Sequence, residues 1–221
     1  MKRFVMLVLL ILIFPAEASA LHVTNRDGTP APLLQRWANK SSIQLFDLTM
    51  TVHRDCDGWA GCFAGGTEIG IEGADPETFF HEYTHMWDDL TDDEVLVGED
   101  LDIVRVTPDP RAEYIRQRFR KIMKLPQDWG KVFRIRACHG LSIWEGCGTS
   151  AMEMFAEAGA FCMAYPRSKW HRLAYTDGFG TGTGIHGSYG YFPTGRQHMS
   201  VCRLMLNNMG NTQPVYAPET T

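Results

Sequence analysis

The segment that most restricts the fold is His81-Glu82-Tyr83-Thr84-His85, set in a run whose apolar residues recur every three or four positions. Phe79, Phe80, Tyr83, Met86, Trp87 and Leu90 carry that period, which predicts a helix running to about Leu90. Asp75-Pro76 opens it, a capping side chain followed by proline at the first helical position. On a helix His81 and His85 lie one turn apart on one face, so two imidazoles can converge on one metal ion. Glu82 is rotated by about 100° from His81 and can reach a water on that ion, which makes it the candidate general base. A short alternating run, Thr67 to Glu72, precedes the helix. An edge strand there could hold an extended peptide, with Thr67, Ile69 and Ile71 as candidate substrate-binding positions.

Two imidazoles leave zinc short of a third protein ligand. Ser150 to Pro166 predicts a helix in which Glu153 and Glu157 are the only charges, four apart and on one face. The rest is apolar or small, so most of this helix is expected to be buried. A carboxylate buried without a partner is costly, and a cation is a natural partner. Ser150-x-x-Glu153 also reads as a capping box, but that does not account for Glu157. Glu153 is the candidate third ligand. Glu157 is the candidate acceptor for the other ring nitrogen of a bound histidine. Asp88 and Asp89 are close to the ligand face, and one of them, Asp89 by preference, is a second candidate for that orienting role.

The first twenty residues read as a cleavable secretory leader: Lys2 and Arg3, an apolar run from Phe4 to Phe14, then Ala18-Ser19-Ala20. That run is shorter than the roughly 20 residues a membrane span needs, and no later run approaches that length. Residues 21–40 hold several Pro and Gly breakers and are expected to be a flexible leader or short pro-segment. Residues 41–221 would form one domain, with a Gly-rich segment over 176–221. All six cysteines follow the leader, which in a secreted chain indicates disulfides. The sequence does not choose among the pairings, although loop closure favours Cys56–Cys62 and Cys138–Cys147, leaving Cys162–Cys202. The chain is acidic, with a formal net charge of −5, which argues against nucleic acid as a partner. Asp88 to Asp102 is expected to be a solvated acidic loop; calcium there is the lesser reading, because no EF-hand pattern is present.

His81 to Asp89 and Glu153 to Ala158 resemble the zinc peptidase domain of anthrax lethal factor and the Pro-Pro endopeptidases. Those enzymes pair the same histidine motif with a later helix bearing a glutamate ligand. The resemblance implies one zinc per chain on His81, His85 and Glu153, with Glu82 as base in a gluzincin-type fold. The family carries a tyrosine where this chain has Gly146, so the oxyanion donor would come from elsewhere. Tyr191 and His198 are the preferred candidates, ahead of Tyr165, Tyr189 and His186.

The expected architecture is α+β and zincin-like. A small, mostly antiparallel sheet would pack on the histidine-bearing helix, with a second helical half supplying the glutamate. The leading functional expectation is a secreted zinc endopeptidase acting on a protein or peptide. The alternative is a secreted zinc-binding pseudoenzyme or binding protein. A zinc amidase of cell-wall peptides would share the chemistry. Neither nucleic acid nor stable membrane insertion is expected.

Overall fold

Three helix starts follow the capping chemistry of their sequences. In the computed structural model, which describes residues 21–73, 75–92, 94–97, 102–105, 107–125, 128–131, 133–134, 148–170 and 195–215, Asp75 caps helix α2 (Pro76–Asp89). Its Oδ1 accepts the Thr78 N–H at 2.8 Å and its Oδ2 accepts the Thr78 hydroxyl at 2.7 Å. Asp109 caps α3 (Pro110–Met123), and the Ser150 hydroxyl accepts the Glu153 N–H at the start of α4 (Ala151–Ala164). Each side chain satisfies a backbone donor that a helix N-terminus leaves without an intrahelical partner.

The fold is α+β with a small mixed sheet. Strands β1 (His22–Asn25), β2 (Thr49–His53), β3 (Gly61–Gly65) and β4 (Glu68–Ile71) lie in the order β1-β2-β4-β3. The β1–β2 and β2–β4 pairings are parallel, and only β3–β4 is antiparallel. This corrects the expected mostly antiparallel, zincin-like sheet. The cause is local: β3 and β4 form a hairpin, and β4 docks on β2, so β4 is central and β3 is the edge. Cys56 and Cys62 form a disulfide across the loop that leads into β3.

Residues 21–40 are not a flexible leader. They form β1 and helix α1 (Pro32–Ala38), and Leu21, Val23 and Ala38 belong to the apolar core. A parallel partner for β2 needs a crossover connection, and α1 supplies it. The strand expected over Ser42 to Arg54 is confined to Thr49–His53. Upstream of it Phe46 is buried without being in a strand, and its N–H donates to the Tyr83 hydroxyl at 2.8 Å. That bond gives the backbone a partner outside any ladder.

The acidic stretch is also corrected. Asp88 is buried at the end of α2, and β5 (Glu94–Val97) and β6 (Asp102–Arg105) form an antiparallel hairpin. A further short pairing joins β7 (Phe133–Arg134) to β8 (Gly148–Thr149). The tail expected to be Gly-rich contains helix α5 (Gly195–Asn208), which a second disulfide, Cys162–Cys202, ties to α4.

α2 and α4 form the principal helix pair. Gly159 of α4 lies against Thr84 of α2; a Cβ there would sit 2.1 Å from the Thr84 Oγ1. No side chain larger than hydrogen fits without moving one helix. Behind them Phe155 gathers the rings of Trp87, Phe119 and Trp129, with centroids 5.2–5.6 Å away. No helix among the described residues is long and apolar enough to cross a membrane. The leader at residues 1–20, Cys138, Cys147, Gly146, Tyr189, Tyr191 and His186 lie outside the described residues.

Candidate metal centre

The close α2–α4 contact sets two helix faces against each other. α2 presents His81 and His85, and α4 presents Glu153 and Glu157. The His81 Nε2 and His85 Nε2 are 3.1 Å apart, and the Glu153 Oε2 is 3.5 Å from each of them. A tetrahedral zinc with bonds of about 2.0–2.1 Å would separate its ligand atoms by roughly 3.3–3.4 Å. The triangle therefore has the size of one face of such a coordination shell. The fourth position has no donor assigned to it among the described residues, since the cluster of converging ligand atoms holds these three groups alone.

The His81 ring is oriented from behind. Its Nδ1 lies 3.3 Å from the Glu157 Oε1. An Nδ1–H donated to that carboxylate leaves the Nε2 lone pair for a metal. Burial on its own would push the His81 imidazole down, but the bonds to Glu153 and Glu157 outweigh it and raise it to about 10. The same bonds, working against burial, hold Glu153 well below the usual carboxylate range. Without metal, a proton shared by this cluster thus does part of the work of a cation.

That arrangement fixes a pH dependence. The His81 value lies above its unfolded one of 6.5. Its contribution to metal-free stability is therefore complete below that pH and lost as pH rises through about 10. Glu153 has the opposite sense: its contribution is present above 4.5 and lost as pH falls below it. Zinc must displace the His81 proton, so its apparent affinity is expected to climb about tenfold per pH unit from roughly pH 6.5 to 8.5. Competition with a chelator across that range measures the slope, and a flat profile would refute the proton competition.

Glu82 lies on the sheet side of α2. It is buried, and Gly61 of β3 passes so close that a Cβ there would be 2.7 Å from the Glu82 Oε1. Burial pushes its carboxyl up, against the pull of the two imidazoles. Asp89 follows His85 by one turn on the same helix.

Other expected site residues fall elsewhere. Thr67, Ile69 and Ile71 do not border an open edge: β4 is hydrogen-bonded on both sides, and Ile69 and Ile71 are core residues. A central strand has no free ladder for an added peptide. His198 is not an oxyanion donor. It is fully buried, its Nδ1–H donates to the Trp170 carbonyl at 2.9 Å, and its Nε2 lies 3.8 Å from the Cys202 Sγ. Tyr165 donates its hydroxyl to Glu77. Tyr191 lies outside the described residues.

Two groups escaped the sequence reading. Arg116 of α3, one of several arginines and lysines in that helix, is buried and bonded to Asp88. Cys162, His198 and Cys202 place a second set of ligand atoms within 4.8 Å of one another. The spacing of His198 and Cys202, four residues apart, was the available signal.

No protein-family model, no curated protein and no solved structure matches this chain. The membership in the lethal factor and Pro-Pro endopeptidase group suggested by the resemblance is corrected by the metal-ligating clusters, which taken together do not match the one-zinc arrangement that group implies, and with it the gluzincin fold and the endopeptidase activity. The molecule offers a His/His/Glu cluster and a Cys/Cys/His cluster, beside a mixed sheet whose expected substrate strand is central and whose expected oxyanion histidine is committed elsewhere. It contains a site capable of holding zinc.

Proposed function

We propose that this chain is a secreted, disulfide-braced zinc-binding protein, and not a peptidase. Its zinc is held by His81, His85 and Glu153, with Glu157 and Asp89 orienting the imidazoles. The observation that carries the reading is the triangle of ligand atoms, 3.1, 3.5 and 3.5 Å on its sides. Three protein ligands leave one position of a tetrahedral zinc for water or for a group on a bound molecule. The leader-like residues 1–20 and the two disulfides among the described residues support an oxidising, extracellular setting.

The test uses oxidised protein beginning at Leu21. One equivalent of zinc is expected by elemental analysis, falling to none in His81→Ala. No cleavage of casein or of a mixed peptide library is expected at any zinc loading. Protein without zinc would overturn the metal site. Cleavage by the wild type that disappears in Glu82→Ala would overturn the non-peptidase reading.

A further inference from the structure

The Cys162–Cys202 disulfide has a third group beside it. His198 and Cys202 are four residues apart on α5, so they share a face, and Cys162 meets them from α4. All three side chains are fully buried. The His198 Nδ1–H donates to the Trp170 carbonyl, and that bond assigns the tautomer. The remaining nitrogen, Nε2, therefore presents a lone pair, and it lies 3.8 Å from the Cys202 sulfur. A ring anchored through Nδ1 by a backbone carbonyl, with Nε2 facing sulfur, is how a metal-bound histidine is usually held. Around a tetrahedral zinc bound by two thiolates and one imidazole, ligand atoms stand roughly 3.5–3.8 Å apart. The three atoms here already lie within 4.8 Å of one another.

We propose that Cys162, Cys202 and His198 form a second, redox-gated metal site that takes a thiophilic divalent ion such as zinc when the disulfide is reduced. A dithiol reductant gives two electrons to the Cys162–Cys202 bond and closes to its own disulfide, leaving two thiols. The metal then displaces both thiol protons and accepts the His198 Nε2 lone pair. The sulfurs need to part only from about 2.0 Å to about 3.8 Å. α4 and α5 are tied in both states, by a covalent bond when oxidised and through the metal when reduced. The site is independent of the His81 cluster.

The test removes the other cysteines and breaks the His81 cluster. A variant carrying Cys56→Ser, Cys62→Ser, Cys138→Ser, Cys147→Ser and His81→Ala is titrated with cobalt(II) before and after reduction by a phosphine. No cobalt is expected to bind the oxidised form. One equivalent is expected in the reduced form, with thiolate-to-cobalt charge-transfer absorption. Adding His198→Ala should weaken that binding at least about tenfold. Absence of the absorption on reduction, or binding indifferent to His198→Ala, would overturn the site. If that background does not fold, the wild-type chain serves. Reduction must then add thiolate-bound cobalt that disappears in Cys162→Ser/Cys202→Ser, and an unchanged cobalt load in that pair overturns the proposal.

Discussion

Replacing Glu153 with Gln is expected to weaken zinc binding by more than about 100-fold, whereas Glu157→Gln should cost only about 10–100-fold. The asymmetry follows from position. Glu153 supplies one of three converging atoms, 3.5 Å from both imidazole nitrogens, and a neutral amide there removes a charge as well as a ligand. Glu157 meets the far side of His81, away from the converging ligand atoms. Its loss leaves the coordination triangle in place but frees the ring to turn. Glutamine keeps the shape of each side chain, so the comparison isolates charge and ligation from packing. Competition titration with a zinc chelator at fixed pH reads both variants. Equal losses would mean that the two carboxylates share the ligand role. An unaffected Glu153→Gln would place the metal elsewhere.

Much of the helical framework around this site can be read from the sequence, because it depends on local chemistry. Asp75-Pro76, Asp109-Pro110 and Ser150 each mark a helix start, and each cap is present with its hydrogen bond. The nearness of Glu153 and Glu157 to His81 was legible from a different clue: two charges on an otherwise apolar helix need a partner. The sheet was less legible. Alternation identifies β4 as a strand but says nothing about its neighbours, and its central place depends on β1, in a segment whose prolines and glycine suggested looseness. Pro32 in fact starts α1, and Gly28 takes a positive φ of 78° in the turn before it.

The C-terminal helix was missed for a related reason. Gly-rich residues before it dominate the composition of the tail. Yet His198, Val201, Cys202, Met205 and Met209 recur at helical spacing and are all buried. The expected oxyanion role of His198 requires an open segment around it. Its burial against Trp170 and Cys202 shows that a histidine's chemistry follows from what surrounds it, which one-dimensional spacing reveals only after the helix is recognised.

Arg116→Ala is expected to destabilise the fold by about 3–5 kcal/mol, the usual cost of stranding one member of a buried ion pair. Arg116 reaches from α3 to the C-terminal end of α2. Its Nε donates to the Asp88 Oδ1 at 2.7 Å, and its Nη2 donates to the Asp88 carbonyl at 2.6 Å and to the Thr91 hydroxyl at 2.9 Å. The other Asp88 oxygen accepts the Trp129 indole N–H at 2.7 Å. Burial would push the guanidinium down, but the Asp88 carboxylate outweighs it and holds Arg116 above its ordinary value. The guanidinium therefore stays charged, and removing the arginine leaves an Asp88 side chain that is 4% exposed with an indole as its remaining side-chain donor. The guanidinium also lies 5.9 Å from the Trp87 ring centroid, so its removal opens space beside the aromatic cluster. Urea denaturation of oxidised, metal-free protein reads the loss. Asp88→Asn/Arg116→Met should recover a substantial part of it, because neither residue then carries an unpaired buried charge. If the double variant is as unstable as Arg116→Ala, packing against Trp87 is the larger contribution, and the ion pair chiefly fixes where α3 meets the end of the histidine-bearing helix.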